Sequence, residues 1–360
     1  MTDFLVKRDD LRECRLAESS TPELAPGQAL LRVESFGLTA NNVTYAVFGE
    51  TMSYWDFFPA ENGWGRVPMW GFATVERSEA GPLAAGTRVF GYLPPSSQLV
   101  VTPIVTTGGF IDGSPQRAAL PSVYQSYSAT DTDSFYRPDT EAMQMLLRPL
   151  FFTSFLIDDQ LADDGLAERG PILVSSASSK TAIAAAFLLA QRPEANLIGL
   201  TSARNRDFVE GLGIYDSVVA YEEIGSLERG AATFVDIAGD GEVRLAVHSH
   251  YEDDLIQSIT VGVTHWERLG AAGDAELTGP QPAFFFAPAR IGKRSQDWGG
   301  AGLEAKVADA WHPFCEWADG WLEVIGGEGF EAVESAYLQV LDGEVAPNRA
   351  HVLTLPPGDS

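Results

Sequence analysis

Apolar and polar residues alternate over residues 28–36 (QALLRVESF) after the pair Pro26-Gly27, the pattern of a strand with one buried face. Three more short β-rich runs, at 71–76, 87–92 and 98–102, are separated by Gly81, Pro82, Gly86, Pro94 and Pro95. The first third of the chain therefore reads as an irregular all-β domain with long loops, one of them the aromatic-rich segment 54–70. From about residue 140 the period lengthens. An apolar helical stretch at 143–161 precedes residues 171–174 (PILV), a continuous apolar run suited to a buried parallel strand, and an Ala-rich helix over 181–191. Strands at 196–201, 217–220, 232–237 and 257–263 then alternate with helices at 205–211 and 242–251, which predicts an α/β domain with a doubly wound parallel sheet. Residues 282–288 (PAFFFAP) form another β-rich run. A helix over 302–324 carries Trp311, Phe314, Trp317 and Trp321 at near-helical spacing, a stripe expected in the core. The closing helix 330–341, Gly343 and the strand 351–355 read as a return to the first domain.

Composition narrows the function classes. At about 150 residues per domain, 360 residues make roughly two domains, and 45% hydrophobic with 11% aromatic residues excludes a disordered chain. A formal net charge of −26 argues against nucleic acid or an anionic membrane as partner, so an anionic ligand has to be held by local Lys, Arg or backbone N–H groups. Cys14 and Cys315 stand far apart, outside any CxxC pattern, which leaves no disulfide framework and fits a reducing cytoplasm. The N-terminus mixes Lys7, Arg8, Arg12 and Arg15 with Asp3, Asp9, Asp10 and Glu13 and has no apolar run of a signal peptide. The most apolar stretch, 143–157, is broken by Arg148 and Pro149 and is too short to cross a bilayer.

The order of parts resembles the medium-chain dehydrogenase/reductase superfamily in its zinc-free, quinone-oxidoreductase-like branch. The resemblance rests on the strand 28–36, the turn Gly37-Leu38-Thr39-Ala40-Asn41-Asn42, the strand Gly86-Thr87-Arg88-Val89-Phe90-Gly91, the segment 213–223 (GIYDSVVAYEE), and the ending 331–343 followed by 348–354. It covers nearly the whole chain. Within the superfamily, Ser175-Ser176-Ala177-Ser178-Ser179-Lys180-Thr181 is similar to the branch described as DUF2855. The resemblance implies a GroES-like β-barrel domain at 1–139, a Rossmann domain at 140–290 and a C-terminal return at 291–360. It also implies a small-molecule substrate and a homodimer paired through an edge strand, for which 282–288 is the apolar run in place.

The resemblance implies NADP(H) as cofactor, held where the glycines of a Rossmann turn would stand, here Ser176, Ser179 and Ala182. Small residues keep close approach possible, the hydroxyls of Ser176, Ser178, Ser179 and Thr181 can donate to phosphate, and Lys180 adds a charge. A Walker A reading of Ser179-Lys180-Thr181 fails because its preceding glycines are missing. The second Rossmann strand runs into Thr201-Ser202-Ala203-Arg204-Asn205 with no acid for a ribose 2′-OH, so Ser202 and Arg204 favour a 2′-phosphate. Tyr221 occupies the place where NADPH-using relatives often carry a tyrosine, and Ala238 and Gly262, at the ends of the next two strands, complete the expected cofactor edge.

Zinc ligands of the superfamily would fall on 39–42 and 70–72, which carry none, so no catalytic zinc is expected. His248 and His250, near Glu252 and Asp253, sit two apart on a predicted helix and read as a solvated polar face. Without a metal, a side chain must polarise or protonate the substrate oxygen, and Tyr45 and Asn42 are the candidates. Tyr54, Trp55, Phe57, Phe58, Trp64 and Trp70 could line an apolar pocket or serve as packing. The expected chemistry is reduction of an activated C=C or C=O by NADPH. The alternatives are a non-catalytic NADPH-binding or scaffold protein, and a reductase fold reused for non-redox chemistry. Residues 108–140 read only as a long insertion.

Overall fold

The computed structural model describes residues 1–261 and 277–355. The chain begins with the antiparallel strands β1 (Thr2–Lys7) and β2 (Cys14–Glu18). The alternating segment after Pro26 forms β3 (Ala29–Leu38), and the short helices α1 (Ala40–Val47) and α2 (Tyr54–Phe57) follow. Then come β4 (Trp64–Gly65), β5 (Met69–Ser78), β6 (Arg88–Leu93), β7 (Gln98–Val101), β8 (Pro103–Thr106), β9 (Gly109–Asp112) and β10 (Ser126–Ala129). Helix α3 (Glu141–Asp163) carries Pro149 inside it and leads to the alternating part of the chain: β11 (Ile172–Val174), α4 (Lys180–Leu189), β12 (Leu197–Thr201), α5 (Arg206–Gly211), β13 (Ser217–Ala220), β14 (Ala232–Asp236), α6 (Gly241–Tyr251) and β15 (Leu255–Thr260). After β16 (Ala283–Phe284), α7 (Ala287–Trp298) and α8 (Gly300–Ala318), the chain closes with β17 (Glu323–Glu328), α9 (Gly329–Leu341) and β18 (Arg349–Thr354). Among the described residues, no helix is long and apolar enough to cross a membrane.

Two units result, Met1–Pro149 with Leu322–Ser360, and Leu150–Trp321. In the first, a nine-stranded sheet runs in the order β17-β18-β3-β5-β6-β10-β9-β8 with β7 on β3, beside a three-stranded sheet β2-β1-β4. Its pairings are antiparallel except β17 with β18. Trp55 is gripped between two chain segments that have no side chain to spare: a Cβ on Gly49 or Gly65 would lie 2.0 or 2.4 Å from its ring. Tyr54, Trp55, Phe57 and Phe58 are all buried in the core of this unit. These four rings serve as packing, because rings of this size gain most by leaving water together, while Trp64 and Trp70 remain partly exposed.

Residues 108–140, read from sequence only as an insertion, are built around a buried ion pair. Arg117 reaches Asp112, both nearly solvent-free, and its Nε donates to the carbonyl of Phe57 at 2.8 Å. The other oxygen of Asp112 accepts from the N–H of Thr102 at 2.9 Å and from the hydroxyl of Ser114 at 2.6 Å. Hydropathy alone cannot register that pair, although Phe110 and Tyr127 of the same segment join the apolar core.

In the second unit the six strands are all parallel, in the order β13-β12-β11-β14-β15-β16. The expected strand 282–288 is cut to two residues, because Pro288 falls in the first turn of α7, where a missing N–H costs nothing. Phe284 and Phe286 there are about half exposed, at 51% and 57%. The helix expected over 302–324 ends at Ala318, and residues 323–328 form β17 instead. Half of the aromatic stripe is core: Trp311 and Phe314 are solvent-free, with Phe151 5.2 Å from Trp311 and Phe187 5.3 Å from Phe314, whereas Trp317 and Trp321 are partly exposed. That packing places α7 and α8 with the parallel sheet, where the sequence reading had assigned residues from 291 to the return.

Removing one member of a buried ion pair leaves the other charge uncompensated. Arg117→Ala is expected to cost about 3–5 kcal/mol, read as a fall in the urea midpoint of the first unit. A change within about 0.5 kcal/mol would show that the pair is not what holds the insertion.

Candidate functional site

The second unit gathers its polar groups where β11 hands over to α4. Ser176 takes a left-handed backbone (φ 51°), the conformation a glycine would adopt most readily. Its N–H donates to the hydroxyl of Tyr221 at 3.1 Å, and its carbonyl accepts from the N–H of Ser179 at 2.7 Å. Ser179 caps α4, its Oγ accepting from the N–H of Ala182 at 3.3 Å. The first turn of that helix carries further N–H groups without intrahelical acceptors and the positive end of the helix dipole. Lys180 opens the helix half-buried, and loss of water pulls its pKa down to about 8. Thr181 follows, its carbonyl held by the hydroxyl of Ser154 at 2.8 Å.

Neighbouring loops are tied to this turn. Asn205 donates to the Oγ of Ser178 at 3.0 Å, which anchors the loop carrying Ser202 and Arg204. Arg204 is exposed, and among the described residues no ion pair engages it. Tyr221 is brought in from the end of β13 and Ala238 from the turn after β14. Nine of the ten expected cofactor residues thus lie on the C-terminal edge of the parallel sheet or the loops leaving it; the tenth, Gly262, lies outside the described residues.

One group at this edge escaped the sequence reading. Asp236, at the end of β14, is fully buried and accepts the Ser175 hydroxyl at 2.9 Å, the N–H of Gly239 at 3.0 Å, and the Nε and Nη2 of Arg244 at 3.0 and 2.8 Å. His248 corrects an expectation. It is buried, not solvated: its Nδ1–H donates to the carbonyl of Thr278 at 2.8 Å and Nε2 accepts from Ser258 at 3.0 Å. Burial lowers its pKa. His250 instead reaches the carbonyl of Leu227 at 2.9 Å. Among the described residues no group of three or more His, Cys, Asp and Glu side chains is disposed to hold a metal.

In the first unit the candidate side chains are phenols. Tyr45, 5% exposed on α1, accepts from the Nδ2 of Asn41 at 2.7 Å and from the Nε1 of Trp70 at 3.3 Å. Both lone-pair directions of its oxygen are therefore taken, and its hydrogen is the part left to donate. Burial is the largest influence on this phenol and pushes its pKa up, against the pull of Trp70 and Asn41, so it holds its proton at neutral pH. Tyr54, Tyr92 and Tyr124 pack around it. Ring centroids are 4.7 Å from Tyr45 to Tyr54, 5.5 Å to Tyr92 and 6.4 Å to Tyr124. Tyr124 comes from the insertion, and its hydroxyl lies 3.5 Å from that of Tyr54.

The amide expected at the substrate oxygen has other work. Asn42 is 4% exposed; its Oδ1 accepts from the N–H of Thr39 at 2.8 Å and its Nδ2 donates to the carbonyl of Pro68 at 2.9 Å. It caps α1 and so sets where Tyr45 stands, while Asn41 meets the phenol. Spacing i, i+4 on one helix could have identified that contact in the sequence. Nothing in a single sequence points to Tyr124.

A parallel-sheet unit with a sheet-rich unit made from both ends of the chain is the fold of the medium-chain dehydrogenase/reductase superfamily, GroES-like plus Rossmann. Solved structures agree over nearly the whole length. CurA from Vibrio vulnificus matches with a TM-score of 0.60 at 14% identity, and its structure in complex with NADPH with 0.58 at 13%, each with 99% of both chains covered. The quinone oxidoreductase from Coxiella burnetii gives 0.57 at 14% and the CurF ER cyclopropanase from the curacin A biosynthetic pathway 0.59 at 14%, again with 99% of both chains covered. At these identities the likeness is one of fold. The model of the family described as "Protein of unknown function (DUF2855)" matches residues 36–346, and the chain belongs to that family. No curated protein matches it.

Proposed function

We propose that the protein is a zinc-independent NADPH-dependent reductase of an activated C=C or C=O, in an enone, a quinone or a related carbonyl compound. The observation that carries the reading is the turn at Ser176. It keeps the left-handed bend of a dinucleotide-binding turn with no glycine in it, and Ser202, Arg204 and Tyr221 are tethered to the same edge. The residues fit the cofactor. Nothing larger than a serine stands at the first two glycine places, and the third, Ala182, is solvent-free against the sheet, as close helix packing requires. The N-terminus of α4 and Lys180 would hold the pyrophosphate, and Arg204 with Ser202 the 2′-phosphate. That CurA, an NADPH-bound protein of the same fold, was solved with this cofactor supports the choice.

Bound there, NADPH supplies a hydride, two electrons, to the substrate. The chain's own part is to fix the phosphates and to deliver the proton that completes the reduction. Tyr45 is the proposed donor, since its oxygen receives two N–H groups and its hydrogen is the one left to give. Donation leaves a phenolate, which the same two N–H groups stabilise.

In calorimetric titration the wild-type protein is expected to bind NADPH more tightly than NADH, and Arg204→Ala to weaken NADPH by about tenfold or more without changing NADH, one charge-assisted contact being worth about 1.5–3 kcal/mol. Equal affinities in both proteins would remove the 2′-phosphate assignment, and no binding of either dinucleotide would leave the non-catalytic reading. A phosphate contact favours charged Lys180, so its pKa rises on binding and affinity falls as pH climbs through about 8. Titrations at pH 7 and pH 9 should show that fall, and Lys180→Arg should flatten it. Tyr45→Phe should cut turnover of a reducible enone or quinone by about a hundredfold or more while NADPH affinity holds, a split that steady-state rates and calorimetry read separately. Unchanged turnover would move the proton transfer elsewhere.

A further inference from the structure

A serine at the left-handed position of the turn is held there against its preference, and the structure shows by what. The residue before it, Ser175, is 1% exposed and its hydroxyl is saturated: it donates to Asp236 at 2.9 Å and accepts from the N–H of Ile237 at 2.9 Å. Asp236 is fixed in turn by both Nε and Nη2 of Arg244, from α6, and by the N–H of Gly239. On the far side the Ser176 N–H is taken by Tyr221. A left-handed L-residue costs about 1–2 kcal/mol and persists where its surroundings over-determine it.

We propose that Ser175, Asp236 and Arg244 form a positioning relay that holds the turn in its left-handed form, so that cofactor affinity depends on side chains buried behind the turn. A glycine needs no such support. The relay replaces backbone freedom with hydrogen bonds, and this is how a chain of serines keeps the bend. Asp236 has no solvent-accessible surface and all its recorded partners lie inside the protein, so it acts through Ser175 and not on a ligand. The relay also couples the turn after β11 to the turn after β14, since Ile237 and Gly239 hang on the same two side chains.

The inference rests on the turn being the seat of NADPH, and the test separates the two claims. The Kd for NADPH is measured by fluorescence, with melting temperature alongside, for the wild type, Ser175→Ala, Asp236→Asn, and Ser175→Ala combined with Ser176→Gly. Ser175→Ala is the mild change, expected to stay folded and to weaken NADPH by about tenfold, the loss of one or two buried hydrogen bonds. Asp236→Asn should weaken it at least as much. Adding Ser176→Gly to Ser175→Ala should return the Kd to within about threefold of wild type, because glycine adopts the bend unaided. A merely structural role would lower the melting temperature without that recovery of affinity. Folded Ser175→Ala that binds NADPH like wild type, or a weakened Kd that glycine does not restore, overturns the relay while leaving the cofactor in place. A wild type that binds no NADPH overturns the cofactor reading and the relay with it.

Discussion

Everything the second unit offers a ligand depends on one reversal, the five residues between Val174 and Lys180 in which the chain leaves a buried strand and enters a helix. A parallel sheet forces that reversal onto the C-terminal ends of its strands, and a helix begun there turns its unbonded N–H groups away from the sheet. The bend requires one left-handed residue. Here it is Ser176, so the geometry is bought with neighbours: Ser175 on Asp236, Tyr221 on the Ser176 amide, Asn205 on Ser178. Each of those contacts draws in another loop, and the edge is assembled as a consequence of stabilising the bend.

What could be read from the sequence follows from which forces leave a pattern in one chain. Buried parallel strands do, because both faces lose water. Residues 217–220 were placed to the residue, and 232–237 and 196–201 to within one. The first eighteen residues did not, since β2 alternates only weakly and its Leu16 is 47% exposed. Buried ionic groups leave no hydropathic trace at all. Asp112 with Arg117 and Asp236 with Arg244 look like surface charges in the sequence and turn out to anchor a segment and a turn. His248 misleads for the same reason, a polar residue whose two ring nitrogens are both satisfied indoors. Motif position alone brings the candidates at 176, 178–181, 202, 204 and 221 to the ends of the parallel strands, whereas a tertiary contact such as that of Tyr124 leaves no mark in the sequence.

The fold does not choose the chemistry. A quinone oxidoreductase and a cyclopropanase share it with this chain at similar distances. Beside the turn at Ser176, the proposal of reduction draws on local chemistry: a buried phenol kept protonated, with both lone pairs engaged by Asn41 and Trp70. Burial keeps the proton on this oxygen, and the two N–H groups are the contacts that favour its release. Asn42 contributes one step back, by closing the helix cap that fixes the start of α1.

Net charge sets the last constraint. A dinucleotide phosphate approaching a chain of −26 meets repulsion at long range, so its binding has to come from contacts inside a Debye length, about 10 Å at 0.1 M salt. The turn is equipped for that range. Its positive elements are a helix terminus, one desolvated lysine and an arginine left without an ion pair among the described residues, at a place where most of the chain's cations are already committed. Arg206, two residues from Arg204, is paired with both Glu210 and Glu223, and Arg244 with Asp236. The contrast between Arg204 and these neighbours is what the proposed 2′-phosphate contact draws on: an exposed arginine that no carboxylate engages among the described residues.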